Sequence, residues 1–293
     1  MVKKPPPAPT HSKWAFRIVA AGIFLAEIVV LPGAASPFRL SKEAVILIAI
    51  CLALAFATAA AARRGKFMIP TGRLVLVLLS LPALQAVSAL WSASPLRALE
   101  STALSVMWVV GMLWLSTLGT EQRRLLTLAA SFGVVASALV MVAQLGGFSV
   151  FNFTAQFASK RLSLTGLTGN PADLAMAAVL LLPLLLVGMN TKKWKSLDLA
   201  LVIILVFAAL LSRTLTGIAA LAAVLAIWLI QQKSRRLWVG AAAFGAVLLA
   251  LALVAGLGNR IAKTSKSLQK GDYYALLSAR ADGWTAAEEM IRS

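Results

Sequence analysis

The stretch LDLALVIILVFAALLSRTLTGIAALAAVLAIWLIQ, residues 197–231, is apolar on both sides of a short polar break, SRTLT, at residues 212–216. A single helix over the whole stretch would be about 52 Å long, whereas the hydrocarbon core of a bilayer is roughly 30 Å thick. The chain must therefore turn at the break. We predict two membrane-spanning helices, 197–213 and 214–231, joined by a tight turn near Ser212–Thr216.

Apolar stretches of similar length recur along the rest of the 293-residue chain, which is 60% hydrophobic and only 13% charged. Soluble domains contain about one quarter charged residues. We predict an all-α fold, a polytopic integral membrane helical bundle of about nine transmembrane helices. The other seven predicted spans are 16–35, 44–62, 72–90, 100–118, 125–147, 171–189 and 237–258.

The basic residues between the apolar stretches alternate between crowded and sparse gaps. The first gap and every second gap after it hold 16 Lys and Arg residues, and the intervening gaps hold 6. Cytoplasmic loops of membrane proteins retain Lys and Arg. We predict a cytoplasmic N-terminus, and the tail from Asn259 then lies outside. Leaving out that tail, the six basic residues in the predicted outer gaps are Arg39, Lys42, Arg97, Lys160, Arg161 and Arg213.

Three regions follow from this pattern. Residues 1–13 are predicted to be a disordered cytoplasmic tail, residues 14–258 the transmembrane domain, and residues 259–293 an external segment. Within that last segment we expect an exposed polar stretch followed by an amphipathic helix, 272–292. The chain stops within this helix, so we expect it to be truncated there. The alternative is a complete protein with a short external tail.

Composition also bears on partners and cofactors. A net charge of +18 would suggest nucleic acid in a soluble protein, but here we assign it to topology and to contact with anionic membrane lipids, and we expect no nucleic-acid partner. The one histidine, His11, and the one cysteine, Cys51, cannot build a metal site with scattered acids, so we expect no metal and no cofactor. Cys51 is predicted to be a packed apolar residue.

Arg213 is the first candidate for chemistry, because it lies at the tip of the hairpin on the predicted outer side. A guanidinium group there is unfavourable unless it finds a partner or reaches the interface. One interpretation is an anchor to lipid phosphates. The other is a ligand for a phosphorylated lipid substrate, since arginine binds phosphate oxygens through two N–H groups.

A second candidate region is the Gly/Thr-rich sequence LTGLTGNP that precedes the sixth span, just after Lys160 and Arg161. Asn170 is a favourable N-cap, Pro171 suits the first helical position and Asp173 the third. Capping alone explains this pattern. The functional hypothesis is that a helix N-terminus on the outer side receives an anion, although Asp173 opposes this unless it faces an arginine or acts as a base.

Three further sites stay open between structural and functional roles. Glu27 lies within the first span, where an ionisable group is a functional candidate by default or a carboxyl that is protonated or paired. Asp198, at the start of the seventh span, is predicted to be interfacial. Arg280 and Trp284 are four residues apart and share a face of the tail helix, either as a membrane anchor or as part of a binding site.

Four local patterns, in this order, resemble the O-antigen ligase/polymerase family of bacterial envelope glycan transferases. They are LWSASPLRAL, from Leu90 to Leu99; RLSLTGLTGNPADLA, from Arg161 to Ala175; LLSRTLTGIAAL, from Leu210 to Leu221; and SARADGWTAA, from Ser278 to Ala287. The resemblance covers the membrane core up to the start of the family's large periplasmic loop.

The resemblance implies an inner-membrane enzyme that moves a glycan from undecaprenyl diphosphate to an acceptor such as lipid A-core, at the periplasmic face and without a metal. Arg161 and Arg213 match positions where the family keeps basic residues facing the lipid diphosphate, and Arg280 is a third candidate. The family's catalytic histidine lies further along its periplasmic loop and has no counterpart here. We therefore expect this chain alone to be inactive.

Other functions stay open on these residues. An O-antigen polymerase or a protein O-oligosaccharide ligase shares the same motifs and differs in its acceptor. A solute transporter of the bicarbonate type would share the membrane core, and it would favour discontinuous helices with charges near the bilayer midplane. A non-enzymatic membrane protein shares every compositional feature.

Overall fold

The computed structural model describes residues 13–31, 38–65, 72–92, 94–148, 165–188, 195–232, 245 and 258–271. These residues form α-helices, one short 3₁₀ turn (Ala89–Trp91) and connecting turns, so the all-helical prediction is confirmed for them. The helices are α1 (Lys13–Ile28), α2 (Arg39–Arg64), α3 (Arg73–Ser88), α4 (Pro95–Ser116), α5 (Thr120–Leu145), α6 (Pro171–Gly188), α7 (Lys195–Leu211), α8 (Leu215–Gln232) and α9 (Gly258–Gln269).

Eight of the nine predicted apolar stretches coincide with helices α1 to α8. Within the described ranges, three helices are long and apolar enough to cross a membrane: Arg39–Arg63, Pro95–Ser116 and Thr120–Leu145. Val75–Trp91, Pro171–Val187 and Thr216–Gln231 form shorter apolar helices. The ninth predicted span, 237–258, lies outside the described residues except at Gly245 and Gly258, and so does the predicted tail helix 272–292.

The first helix is shorter than predicted. We expected a span over 16–35, but α1 ends at Ile28, and residues 29–31 are not helical. Pro32 follows, and the residue before a proline is disfavoured in the helical conformation. At 16 residues, α1 is about 24 Å long.

Helix α5 organises the packing, because α1, α6 and α7 all contact it. One core cluster joins α5 to α6, α7 and α8 around Met141, Leu174, Leu182 and Leu205, all fully buried. A smaller cluster joins the first turns of α1 to α2 and to the start of α5. Helices α3 and α4 pack on each other, and α4 also touches α2.

Large apolar side chains cover the outside of the bundle. Leu76 is 70% exposed, Leu84 67%, Leu180 67% and Val187 70%. Soluble monomers rarely expose contiguous apolar surface on this scale. Together with the apolar helices, this surface identifies a membrane protein. Cys51 also lies on the exposed surface of α2, so its prediction as a packed core residue was wrong.

Two polar features gain detail in the structure. Asp198, near the start of α7, is 0% exposed, and Nη2 of Arg124 on α5 donates hydrogen bonds to its Oδ1 at 2.7 Å and its Oδ2 at 2.8 Å. The segment after residue 258, expected as an exposed polar stretch, forms helix α9, in which Lys266 and Leu268 are exposed.

Candidate functional site

A cavity of about 420 Å³ lies between the end of α1, the start of α2 and the start of α6. We call this end of the bundle the cavity end. It is mixed in character, with two basic groups, three carboxylates, an amide, a hydroxyl and one aromatic ring. The lining residues are Glu27, Phe38, Arg39, Lys42, Glu43, Thr168, Gly169, Asn170, Asp173 and Ala177.

The floor of the cavity is the end of α1, which Lys42 of α2 caps. Nζ of Lys42 donates hydrogen bonds to the carbonyl oxygens of Ala26, at 2.6 Å, and Glu27, at 2.7 Å. The last carbonyls of a helix have no partners within it and form its negative pole. The ammonium group therefore satisfies two of these carbonyls and complements the helix dipole. Ser41 adds a hydrogen bond from its hydroxyl to the carbonyl of Val29.

Glu27 contacts α5 near the midpoint of that helix. A methyl group on Gly133 of α5 would lie 2.5 Å from Cβ of Glu27, so the two helices are in direct contact there. Gly133 is about halfway along Thr120–Leu145. Helix α1 therefore ends about halfway along α5, and the carboxylate of Glu27 and the cap from Lys42 lie at that level.

We expect Gly133→Ala to destabilise the protein by about 1–3 kcal/mol, as overpacking of a close contact does. The added Cβ would meet Cβ and Cγ of Glu27, at 2.5 and 2.8 Å, and Cβ cannot move without moving the backbone of α1. Gly111→Ala on α4 is the matched control, because its Cβ would lie 3.2 Å or more from the side chain of Ile50, a contact that a shift of a few tenths of an ångström relieves. Denaturant titration of both variants in detergent micelles measures the difference. Equal stability of the two variants would contradict the proposed contact.

The wall opposite α1 is the turn at residues 165–170, which α5 holds in place. The backbone N–H of Gly166 donates to Oε1 of Gln144 at 2.9 Å, and Nε2 of Gln144 donates to the hydroxyl of Thr165 at 3.2 Å. The N–H of Leu167 donates to the hydroxyl of Ser137 at 2.9 Å. The Gly/Thr-rich sequence singled out above is therefore an ordered turn packed on α5.

Gly169 lets this turn approach α2. Its φ is +82°, and a Cβ at this position would overlap the ring of Phe38. Only glycine accepts both the left-handed backbone and the aromatic ring against it. The close approach joins the turn before α6 to the start of α2 and closes one side of the cavity.

The start of α6 confirms the predicted helix signal. Asn170 is the N-cap, since its Oδ1 accepts a hydrogen bond from the N–H of Ala172 at 3.1 Å, and Pro171 is the first helical residue. Nδ2 of Asn170 lies 3.3 Å from Oδ1 of Asp173. Both side chains are exposed and line the cavity. Asp173 thus has an amide partner within its own helix start.

The mouth of the cavity carries an exposed ion pair on the first turn of α2. Nε of Arg39 lies 2.7 Å from Oε1 of Glu43, and the two side chains are 81% and 42% exposed. Exposed pairs of this kind contribute little to stability. The pair does orient the guanidinium group of Arg39. Both basic residues of the described cavity lining, Arg39 and Lys42, therefore have partners within the protein.

Arg213 lies at the same end of the bundle, in the predicted hairpin turn between α7 and α8. Gly217 of α8 packs against Ala175 of α6, so the first turns of α6 and α8 are neighbours. The backbone of Arg213 is left-handed, with φ at +52°. Its neighbours fix the turn, because the hydroxyl of Ser212 donates to the carbonyl of Ala209 at 2.6 Å and accepts from the N–H of Thr214 at 3.2 Å.

The structure brings only part of the predicted site together. Asn170 and Asp173 line the cavity, and Arg213 lies beyond α6 at the same end. Lys160, Arg161 and Arg280 lie outside the described residues. Sequence analysis noted Glu27, Arg39 and Lys42 separately, as a charged group in a span and as two external basic residues, and nothing in their spacing linked them. Phe38, Glu43 and Thr168 were not anticipated.

Within the described part of the chain, no three His, Cys, Asp or Glu side chains lie close enough to hold a metal ion. The described side chains that line the cavity offer carboxylates, an amide, a hydroxyl and basic groups for hydrogen bonding to a ligand. Comparison with known proteins finds no matching family model, no matching curated protein and no matching solved structure.

Proposed function

We propose that this chain is a multi-pass protein of the bacterial inner membrane with nine spans, a cytoplasmic N-terminus and a periplasmic C-terminus. The alternation of basic and non-basic gaps supports the orientation. The apolar helices and the exposed apolar surface of the bundle support the membrane location. In this orientation the cavity end faces the periplasm, since the loops between α1 and α2 and between α5 and α6 belong to the sparse gaps.

We propose that the protein is a glycan transferase of the O-antigen ligase type. It would move a glycan from undecaprenyl diphosphate to an acceptor such as lipid A-core at the periplasmic face. The observation that carries the proposal is the polar cavity at this end, lined by Asn170 and Asp173 from one family-like motif, with Arg213 from a second such motif in a turn at the same end of the bundle. A polymerase or a protein O-oligosaccharide ligase would use the same arrangement with another acceptor.

The chemistry needs a positive group where the diphosphate leaves. As the bond from the sugar to the diphosphate breaks, negative charge grows on the leaving oxygen, and a fixed guanidinium group nearby stabilises it. Arg213 is suited to this role because its turn is fixed by hydrogen bonds from both flanking hydroxyl residues. Lys160, Arg161 and Arg280 are the further basic residues proposed for the same diphosphate.

Deleting the gene in its native host tests the function. We expect envelope glycan to disappear from gels and undecaprenyl-linked glycan to accumulate in the same cells, because the donor is made but not used. A plasmid that carries the whole natural gene should restore both, whereas one that encodes only residues 1–293 should restore neither. Unchanged glycan and unchanged donor levels would rule out a transfer function.

A solute transporter is a second candidate, and the early end of α1 favours it. Transporters bind their solutes near the bilayer midplane, where helices break and expose charged ends. Here α1 stops at the depth of Gly133 with Glu27 and Lys42 beside its end. Solute uptake that is lost in Glu27→Gln, with envelope glycan unchanged, would support the transporter over the transferase.

A further inference from the structure

We propose that the cavity binds an uncharged, hydroxyl-rich sugar, the acceptor's saccharide in the proposed transfer, and that Glu27 anchors one of its hydroxyl groups. The inference deepens the proposed function and rests on it for the identity of the acceptor. It gives the two substrates separate places: the diphosphate belongs near Arg213, and the cavity takes a neutral ligand.

The charges of the lining argue against a phosphate group. Among the described residues that line the cavity, three are carboxylates, Glu27, Glu43 and Asp173, and two are basic, Arg39 and Lys42. Both basic groups have partners already, since Arg39 bonds to Glu43 at 2.7 Å and Lys42 bonds to two carbonyls at 2.6 and 2.7 Å. A phosphate group is negatively charged at neutral pH, so the carboxylates would repel it.

A hydroxyl group suits the same lining, because it both donates and accepts hydrogen bonds. Carboxylates accept from it, and the remaining N–H groups of Asn170 and Lys42 donate to it. Within the described residues, no hydrogen bond reaches the carboxylate of Glu27, which is half-buried and lines the cavity. The two carboxylate oxygens of Glu27 are therefore available to accept a hydrogen bond from a ligand hydroxyl, and they are partly shielded from water.

The size and shape agree with one sugar ring. A cavity of about 420 Å³ lies at the lower end of the range of small-molecule pockets. The ring of Phe38 and the methyl group of Ala177 supply apolar surface among the polar groups, as pockets for small molecules do. Acceptor and donor would then approach from opposite sides of the first turn of α6.

Saturation-transfer NMR on the full chain in lipid nanodiscs tests the ligand class. The probes are methyl β-D-galactopyranoside, methyl α-D-glucopyranoside and inorganic diphosphate. We expect at least one glycoside to bind, and inorganic diphosphate not to displace it. Glu27→Gln should weaken glycoside binding at least about 10-fold, because a hydrogen bond to a charged group is lost. Glu121→Gln, at the start of α5 and outside the cavity lining, should bind like the wild type.

Asp173→Asn provides a second cavity variant if Glu27→Gln does not fold, and we expect it to weaken glycoside binding several-fold. The proposal is overturned if no glycoside binds, if diphosphate displaces the glycoside, or if the folded cavity variants bind like the wild type. The transfer assay in cells is independent of this result. Glycoside binding that depends on Glu27, in a protein whose deletion leaves envelope glycan unchanged, would keep the ligand class and reject the transferase.

Discussion

In the longest natural form of the protein, Arg213→Gly is expected to reduce glycan transfer by about 10²–10³-fold while leaving the protein folded and inserted. A fixed positive group at a developing oxyanion typically accounts for a loss of that size. The fold should tolerate the change because φ at this residue is +52°, where glycine avoids the steric penalty of about 1 kcal/mol per residue that a side chain meets. The greater freedom of glycine in the unfolded chain offsets much of that gain.

Arg213→Lys is the matched variant, and it separates charge from shape. Lysine keeps the charge but lacks the planar fork, so we expect transfer well below wild type and above Arg213→Gly. Envelope glycan on gels and the level of undecaprenyl-linked donor provide the measurement, with membrane yield of each variant as the folding control. Normal transfer by well-folded Arg213→Gly would show that Arg213 is only an anchor to the lipid surface.

Asp198→Ala is expected to lower the free energy of unfolding by about 3 kcal/mol. Removing one member of a buried ion pair leaves the other charge without compensation, which costs about 3–5 kcal/mol. The lower value applies because Arg124 keeps 21% of its side chain exposed, whereas Asp198 keeps only 1%. The pair joins the first turns of α5 and α7, so we expect those helices to separate at this end.

The double variant Arg124→Leu/Asp198→Leu tests whether the pairing itself is responsible. Apolar residues of similar size often replace a buried ion pair without loss, so the double variant should recover most of the stability that Asp198→Ala loses. Denaturant titration in detergent measures all three proteins. A double variant that is as unstable as the single one would assign the effect to packing at Asp198 rather than to an uncompensated charge.

Local signals predicted the helices well, and one boundary shows where they fail. The break at 212–216 and the sequence Asn170–Pro171 each mark a helix end through residues next to one another in the chain, and the structure has those ends where predicted. The end of α1 at Ile28 was missed because apolar residues continue beyond it, and hydropathy does not register where backbone hydrogen bonding stops.

The contacts that form the site could not be predicted from spacing. Lys42 is 15 residues from Glu27, and Arg124 is 74 residues from Asp198, so neither pair shares a helix. The count of basic residues assigned Arg124 to a cytoplasmic gap. It did not indicate that its guanidinium group pairs with the buried carboxylate of Asp198. The left-handed conformation of Arg213 was equally hidden, since residues other than glycine rarely adopt it.

The dependence of α1 on Lys42 has a consequence for how the chain enters the membrane. A helix of about 24 Å is shorter than the roughly 30 Å hydrocarbon core, and its last carbonyls would face lipid with no partner if it inserted alone. The ammonium group that satisfies two of them arrives with the next helix. We therefore expect the first two helices to be integrated as one hairpin, so that a nascent chain released before residue 42 would remain at the bilayer surface.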